Sequence, residues 1–352
     1  MKIFIAASNM MHINNFHRPY IDKLRAEGHQ VYIMASGEGA DFNIGFEKRS
    51  LSFTNFKLSR QIKDIINKEK PDVIYLHTTL AAFWIRMALK GIKKRPYVIN
   101  TVHGYLFGNS SGRMHNFVYL TCERLVKKQT DDIIVMNKED YEIATKNKLC
   151  LGNVYSSNGM GVSFKECDVP LKNERKDKIA LAYVGEISKR KNQIFLVQAM
   201  KQLERYTLTL VGDGDERSRI EEYINKEGLS DRVFITGFTS KAYEYIMNCD
   251  IYVSASRIEG LPFNIIEAMY LKKPIVASDI KGQRDLLPKE MLYPLNNMGE
   301  FIEHLKNTNA VRVEYDVQKY SLDKVLGENM ELYLMCKKEM QPTVAKEQLT
   351  VY

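Results

Sequence analysis

Residues 256–270 read SRIEGLPFNIIEAMY and contain two glutamates, Glu259 and Glu267, with seven residues between them. The letters GLP predict a turn, and the apolar spacing that follows predicts a helix. The first N–H groups of a helix have no partners within it and carry partial positive charge, which favours a bound phosphate. With ~1.5 Å rise per residue, Glu267 would lie roughly 8 Å deeper than such an anion, about the reach from a diphosphate to a ribose. A capped helix with two solvated glutamates is the alternative, so the rest of the chain must decide.

The composition is that of a soluble globular protein with room for two domains. The chain has 352 residues, of which 45% are hydrophobic and 27% charged. Apolar runs alternate with helical patterns, which predicts an α/β fold. The apolar start, residues 1–7, is too short for a signal peptide and predicts a buried strand. The five cysteines are scattered, without a CxxC pair, so we expect them to be reduced and the protein to be cytoplasmic.

The net charge of +8 lies in the first half of the chain. Residues 1–170 hold 24 Lys and Arg against 16 Asp and Glu, whereas residues 171–352 hold 27 of each kind. A basic surface fits nucleic acid, an anionic membrane or an acidic substrate. The sequence has no nucleic-acid-binding motif, so we exclude nucleic acid. A basic helix end that includes the only tryptophan predicts membrane contact by Trp84, Lys90, Lys93, Lys94 and Arg95, with a packed helix and solvated cations as the alternative.

Polar residues follow two predicted strands of the first half. The loop after the first strand lacks the GxGxxG of a dinucleotide site and offers Asn9, His12, Asn14, Asn15 and His17. His103 follows the strand over residues 97–102 in the sequence HGYLFG. Ligands bind at the carboxyl ends of parallel strands, so we expect His103 to be functional rather than a core histidine.

Three consecutive cations enter a helix in the second half. The strand over residues 179–184 is followed by GEISKRKN, in which Lys189, Arg190 and Lys191 precede the helix. Cations oppose the helix dipole at this end, and a bound anion would make the arrangement favourable. The later DGD, with Asp213 and Asp215, could hold a metal; we interpret these acids as residues of a helix start and predict no metal.

The two glutamates at this spacing, on a loop and then a helix, resemble the signature of the retaining GT-B glycosyltransferases of the group 1, or glycogen-synthase-like, superfamily. The resemblance implies two Rossmann-like, doubly wound parallel-sheet domains facing a central cleft, with a C-terminal helix crossing back to the first domain. The expected boundaries are an acceptor-binding domain at 1–165, a linker at 166–177, a nucleotide-sugar-binding domain at 178–320, the returning helix at 321–340 and a tail at 341–352.

The resemblance also implies roles for individual residues. His103, Lys191 and Glu259 match catalytic positions, and Glu186 stands where the family has an arginine, which Arg190 would replace. The implied donor-binding residues are Gly185, Arg190, Lys191, Gly212, Gly237, Phe238, Gly260, Leu261, Phe263, Asn264 and Glu267. The acceptor would meet the loop that holds Asn9, His12, Asn14, Asn15 and His17. No metal and no cofactor are expected.

The predicted function is retaining transfer of a hexose or N-acetylhexosamine from a nucleotide sugar, expected to be a UDP-sugar. The expected acceptor is a glycan or an undecaprenyl-diphosphate-linked sugar in capsule, exopolysaccharide or O-antigen synthesis. The enzyme would then work peripherally at the inner face of the cell membrane. Two alternatives stay open: a non-hydrolysing UDP-sugar epimerase on the same fold, and an inactive homologue that partners an active transferase.

Overall fold

The computed structural model describes residues 1–46, 53–164, 178–308 and 314–340. The chain forms two compact units. The first consists of Met1–Gly161 and the segment that begins at Leu322, and the second is Val162–Ser321. The predicted linker at 166–177 and the predicted tail at 341–352 lie outside the described residues.

The first unit is built around a parallel sheet. In its described residues the sheet has seven strands in the order β3-β2-β1-β4-β5-β6-β7. The strands are β1 (Lys2–Asn9), β2 (Gln30–Ser36), β3 (Phe42–Asn43), β4 (Val73–His77), β5 (Tyr97–Val102), β6 (Asp132–Val135) and β7 (Val154–Ser156). The helices between them are α1 (Met10–Phe16), α2 (Arg18–Ala26), α3 (Phe53–Glu69), α4 (Thr79–Ala88), α5 (Arg113–Val126) and α6 (Lys138–Lys146).

The central strands of this sheet are apolar throughout. All five residues of β4, VIYLH, are buried, as expected for a parallel strand with both faces covered. β4 lies between β1 and β5 and pairs with both in parallel. The carboxyl ends of these three strands are therefore neighbours at one edge of the sheet, and the loops that follow them meet there.

The second unit repeats this architecture with a smaller sheet. In its described residues the parallel sheet has six strands in the order β10-β9-β8-β11-β12-β13. The strands are β8 (Ile179–Val184), β9 (Tyr206–Val211), β10 (Val233–Ile235), β11 (Ile251–Ser254), β12 (Ile275–Ser278) and β13 (Leu292–Tyr293). The helices are α7 (Gln193–Ala199), α8 (Arg217–Lys226), α9 (Ala242–Asn248), α10 (Phe263–Tyr270) and α11 (Met298–Asn307).

The last helix, α12 (Leu322–Met340), packs on the first unit. The ring of Tyr333 stacks on that of Tyr75, with centroids 4.3 Å apart, and the Tyr75 hydroxyl donates to the Tyr333 carbonyl. The buried Asn329 amide donates to the Tyr20 hydroxyl at 3.0 Å and to the Gly159 carbonyl at 2.8 Å. Because these bonds satisfy polar groups away from water, they fix the helix in one register on the unit.

The loop predicted after β1 is a helix, α1. The Asn9 side chain accepts a hydrogen bond from the backbone N–H of His12 at 2.9 Å and caps its first turn. Met10 and Ile13 are buried, which anchors the helix to the unit. With seven residues, α1 is too short to show a helical period in the sequence.

Candidate active site

Four loops meet at the carboxyl edge of the second unit's sheet, and two glycines let them approach. Gly212, at the end of β9, has φ +144°, and a Cβ there would lie 2.1 Å from the carbonyl oxygen of Gly185. Gly282 has φ +76°, and its Cβ would lie 2.4 Å from the carbonyl oxygen of Gly260. Only glycine fits these positions. Of the predicted donor-binding glycines, Gly212 is therefore required by its close contact with Gly185, and Gly260 is the backbone partner of Gly282.

Glu259 and two of the predicted cations form an ion triplet in which Glu259 and Lys191 are mostly buried and Arg190 is partly exposed. The Lys191 ammonium lies 2.5 Å from Oε1 of Glu259, and Nη1 of Arg190 lies 3.3 Å from Oε2. The glutamate side chain is 7% exposed and that of Lys191 is 12% exposed. Burial would raise the pKa of Glu259, but the charges of Lys191 and Arg190 outweigh it, and the net pKa lies below the usual value of a glutamate. Glu259 is therefore an ionised carboxylate.

Arg190 lies between two carboxylates. Besides its bond to Glu259, its Nη2 lies 3.9 Å from Oε2 of Glu186, whose side chain is more than half exposed. Arg190 also donates to the backbone carbonyl of Ile258 at 3.2 Å. A cation on the loop after β8 thus reaches the loop that holds Glu259. Glu186, the departure from the family pattern, adds negative charge at the rim of the triplet.

Asn192 and Arg257 join the same two loops, and the sequence analysis did not single them out. The buried Asn192 has φ +59°, and its amide donates to the Ala255 carbonyl at 3.1 Å. Nη2 of Arg257 donates to Oδ1 of Asn192 at 2.9 Å, and the Arg257 N–H donates to the Arg190 carbonyl at 2.8 Å. Asparagine adopts the left-handed conformation more readily than most residues. An asparagine directly before a predicted helix was therefore the signal for Asn192 in the sequence.

Helix α10 begins beside this triplet, as predicted. Pro262 is its N-cap and makes no side-chain bond to the first turn, whereas Oδ1 of Asn264 accepts from the Ile265 N–H at 3.0 Å. The amide of Asn264 donates to the carbonyl of Val184, the last residue of β8. Glu267 follows three residues later and is half-buried, so it lies on the same side of the helix as Asn264. That side faces the end of β8.

The loops after β9 and β10 hold the remaining predicted donor-binding residues. An isolated antiparallel bridge joins Gly212 to Gly237, and Phe238 beside it is 85% exposed. Asp213 accepts hydrogen bonds from the Gly214 N–H at 2.8 Å and from Arg217 at 3.0 Å. These bonds lower the pKa of Asp213. They give the first acid of the DGD sequence a role in holding this loop and the start of α8.

In the first unit, four histidines from three neighbouring strand ends lie together. His12 and His17 follow β1, His77 ends β4 and His103 follows β5. Nδ1 of His77 and Nε2 of His103 are 3.1 Å apart, in hydrogen-bond contact. His77 was not predicted as a site residue, although its place at the end of a buried strand beside the strand of His103 was a signal for it.

Burial keeps these histidines neutral. It lowers the pKa of His12 to about 4 and those of His17, His77 and His103 well below the usual value. Neighbouring histidines lower the last three further, since a second positive charge would be repelled. Each ring therefore has one nitrogen with a lone pair at neutral pH.

The predicted acceptor loop divides into inward-facing and exposed residues. His12 and His17 belong to the histidine cluster, and Asn9 caps α1. Oδ1 of Asn14 accepts from Nε and Nη2 of Arg18 at 2.9 and 2.7 Å on the exposed side of the helix. Asn15 is exposed. The part of the loop that reaches solvent is thus asparagine-rich.

The predicted membrane contact of Trp84 is wrong, because this side chain is 1% exposed in the core of the first unit. α4 turns the apolar face that carries Trp84 inward, so the single tryptophan marks packing rather than a surface. Arg95 makes a paired contact with Asp131 at 2.5 and 2.7 Å. Lys93 and Lys94 are exposed, and Lys90 is half-buried. Among the described helices, none combines the length and hydrophobicity that a bilayer span requires.

Both halves of the chain match glycosyltransferase families. Residues 166–306 match the family described as glycosyl transferases group 1, and residues 3–137 match the family described as glycosyl transferase 4-like. A protein named as the glycosyltransferase EpsD of Bacillus subtilis is 27% identical over 308 residues, which cover 81% of each chain. A UDP-Gal:alpha-D-GlcNAc-diphosphoundecaprenol alpha-1,3-galactosyltransferase of Escherichia coli is 26% identical over 300 residues, or 78% of this chain and 77% of its own.

Solved structures share the fold. Sucrose-phosphate synthase of Thermosynechococcus elongatus superposes with a TM-score of 0.77 at 19% identity, covering 96% of this chain and 100% of its own. The lipopolysaccharide outer core galactosyltransferase WaaB superposes with a TM-score of 0.69 at 19% identity and the same coverage. Two Rossmann-like parallel-sheet units with these neighbours define the GT-B class of glycosyltransferases. Within that class, residues 166–306 belong to the group 1 glycosyltransferases and residues 3–137 to the glycosyl transferase 4-like family.

Proposed function

We propose that this enzyme transfers a sugar from a UDP-sugar to a lipid-linked glycan in bacterial surface-polysaccharide synthesis, with retention of the anomeric configuration. The observation that carries the donor half of this proposal is the Lys191–Glu259–Arg190 triplet beside the start of α10. The acceptor half rests on the Escherichia coli relative, whose name gives a UDP-galactose donor and a diphosphoundecaprenol-linked acceptor.

The triplet suits a donor that carries both a diphosphate and hydroxyl groups. Two cations and one carboxylate leave one net positive charge in a mostly buried site, which attracts an anion. The start of α10, with Leu261, Phe263 and Asn264, adds backbone dipoles directed at the same anion. A diphosphate would compete with Glu259 for Lys191 and so leave the carboxylate to accept hydrogen bonds from hydroxyls of the transferred sugar.

The nucleoside would lie further along α10. Glu267, one turn into the helix, would accept hydrogen bonds from the ribose hydroxyls. Gly237 offers backbone groups to the base, and the exposed ring of Phe238 offers a stacking surface. Glu259 and Glu267 would thus contact opposite ends of the donor. They would not act as the acid and base of a glycosidase, whose two carboxyl groups flank the scissile bond.

In the reaction, the bond between the anomeric carbon and the diphosphate oxygen breaks, and a bond to the acceptor hydroxyl oxygen forms on the same face. The acceptor proton passes to the leaving phosphate. Lys191, Arg190 and the start of α10 stabilise the negative charge that develops on that phosphate, the electrostatic contribution that usually dominates catalysis. In this proposal no metal ion takes part. The assignment of His103 to the transferred sugar stays a prediction from the family resemblance.

The proposed place of work is the inner face of the membrane. Lys93 and Lys94 project into solvent just after α4, and juxtaposed cations of this kind are attracted to anionic lipid. With Trp84 in the core and Arg95 bound to Asp131, the proposed contact is electrostatic and needs no inserted side chain.

A transfer assay tests the proposal. The enzyme is incubated with a panel of radiolabelled UDP-hexoses and UDP-N-acetylhexosamines, with and without diphosphoundecaprenol-linked sugars, and the anomeric configuration of the product is read by NMR. We expect label in the lipid fraction only when acceptor is present, α product from an α donor, and the same rate in EDTA. Conversion of the donor without acceptor would indicate an epimerase and overturn the proposal, as would an inverted product.

A further inference from the structure

The histidine cluster of the first unit has the donor set of a metal site. One ring nitrogen from each of His12, His17 and His103 can be chosen so that all three atoms lie within 4.8 Å of one another. Among the described residues, no other group of three or more His, Cys, Asp or Glu side chains is placed to share a metal ion. These residues come from two different strand ends, so the convergence belongs to the fold and not to a local sequence repeat.

Hydrogen bonding accounts for only part of the cluster. The contact between His77 and His103 satisfies one nitrogen of each ring. His17 is 1% exposed, yet within the described part of the chain neither of its ring nitrogens has a hydrogen-bond partner. Nε2 of His12 is likewise buried without a partner among the described residues. A buried polar group left without a hydrogen bond destabilises the fold, so two such rings side by side call for an explanation.

The alternative is a purely structural stack of neutral imidazoles. The rings of His17 and His77 do approach, with centroids 3.9 Å apart and planes at 36°. Stacking accounts for the ring faces of these two residues. It leaves the lone pairs of His12 and His17 unused, and these lone pairs are what a metal ion binds.

We propose that His12, His17 and His103 bind a divalent transition metal of the Zn²⁺ class, with His77 orienting His103. Imidazole nitrogen is a preferred ligand of this class, and three histidines with an open fourth position form a known tetrahedral arrangement. When Nε2 of His103 donates to His77, its Nδ1 bears the lone pair that remains for a metal, and the bond to His77 is the kind of outer contact that fixes a ligating ring. Zn–N bonds of about 2.0–2.1 Å place tetrahedral ligand nitrogens about 3.3 Å apart, so the rings need only a modest contraction.

This site takes no part in the proposed bond cleavage, although it includes His103, which the family resemblance assigns to the transferred sugar. A bound ion would occupy the lone pair of His103 and cover the inward side of the loop that holds His12 and His17. Binding of the metal therefore predicts inhibition of transfer, with EDTA leaving the uninhibited rate unchanged. The ion is a regulator or competitor at this surface and not a participant in bond cleavage.

Titration of tag-free full-length protein, stripped with EDTA and dialysed, tests the site. Co²⁺ is added first, because its visible absorption reports tetrahedral nitrogen coordination, and Zn²⁺ is then added to displace it. We expect one equivalent of each ion to bind and the melting temperature to rise with the Zn²⁺ concentration. Absence of a stoichiometric Co²⁺ signal would overturn the proposal without any need for a variant.

Variants locate the ion. His12→Asn and His17→Asn should each abolish the one-equivalent Co²⁺ signal, and His77→Asn should weaken binding about 10–100-fold, as for other outer contacts of metal ligands. His115→Asn and His304→Asn remove histidines outside the cluster and should leave it unchanged. Circular dichroism checks the fold; if His17→Asn does not fold, the half-exposed His12 decides. A signal that survives His12→Asn but is lost in His115→Asn or His304→Asn would show adventitious surface binding and refute the site.

Discussion

The ammonium of Lys191 lies 2.5 Å from the carboxylate of Glu259, although the two residues are 68 positions apart. The sequence suggested separate partners for them, a phosphate for the lysine and a sugar for the glutamate. In the structure they neutralise each other, with Arg190 as a second cation. In the proposed function, a donor that carries both a phosphate and a sugar would replace this ion pair, with the phosphate binding Lys191 and the sugar binding Glu259. The pair compensates each buried charge, and in the proposed function it would do so until the donor binds.

Competition between Glu259 and the diphosphate predicts opposite effects of two substitutions on UDP binding. Lys191→Ala removes a charged donor worth about 1.5–3 kcal/mol, so UDP affinity should fall about tenfold or more. Glu259→Gln releases Lys191, so UDP should bind at least as tightly as to wild type while transfer falls by about 100-fold or more. Calorimetry with UDP and a transfer assay measure these effects. Lys201→Ala, on the surface of the same unit, is the control; equal weakening by both site variants would contradict the competition.

The lowered pKa of Glu259 predicts how its contribution to stability depends on pH. The pKa is lower in the folded protein than in the unfolded chain, so unfolding at acid pH takes up a proton. The stabilisation is therefore complete above the unfolded value of about 4.3 and is lost as the pH falls through the folded value. Urea denaturation of wild type and Glu259→Gln at about pH 7, 5, 4 and 3 measures the difference. If the difference in unfolding free energy between the two proteins is the same at every pH, the pKa of Glu259 is not lowered by folding and the prediction is wrong.

The position of Glu267 predicts an effect on the nucleoside alone. Glu267→Ala removes the proposed acceptor of the ribose hydroxyls, so UDP affinity should fall about tenfold, whereas inorganic diphosphate should bind as before. Parallel titrations with the two ligands test this. Glu221→Ala, which breaks a surface pair with Arg217 in the same unit, should change neither. A matching loss for diphosphate would place Glu267 at the phosphate instead.

The stability of the first unit should depend on the buried pair of Arg86 and Glu123. Arg86 is fully buried and makes two hydrogen bonds to the carboxylate, at 2.9 and 3.0 Å. Removing one partner leaves the other charge buried, so Glu123→Gln should cost about 3–5 kcal/mol in urea unfolding. The double variant Arg86→Met/Glu123→Leu should recover most of this loss. Arg124→Ala, an exposed neighbour, should change stability by less than about 0.5 kcal/mol.

Electrostatic membrane contact predicts salt-sensitive binding to anionic vesicles. Lys93→Gln with Lys94→Gln should lower the fraction that floats with such vesicles, since each surface cation contributes about 1 kcal/mol. Lys146→Gln with Lys148→Gln removes the same charge from another exposed part of the unit and is the matched control. Wild-type protein that fails to float with anionic vesicles, or equal losses in both double variants, would argue against this face.

Local patterns in the sequence carry most of the fold. Residues 263–270 form α10 as predicted, and β8 occupies the predicted residues 179–184. Both segments have a period or an apolar run that depends on near neighbours only. α1 was missed because seven residues hold too little periodic signal, and its cap by Asn9 becomes visible only in the structure.

Among the site residues, the sequence by itself determined which side chains are the candidates: Glu259 and Glu267 at their fixed spacing, the cations before α7, and His103 after its strand. Tertiary structure alone decided which of them touch. Lys191 reaches Glu259 and His77 reaches His103 because parallel pairing brings the ends of separate strands to one edge of a sheet. Tertiary structure likewise placed Trp84 in the core, because which face of α4 is buried depends on what the helix packs against.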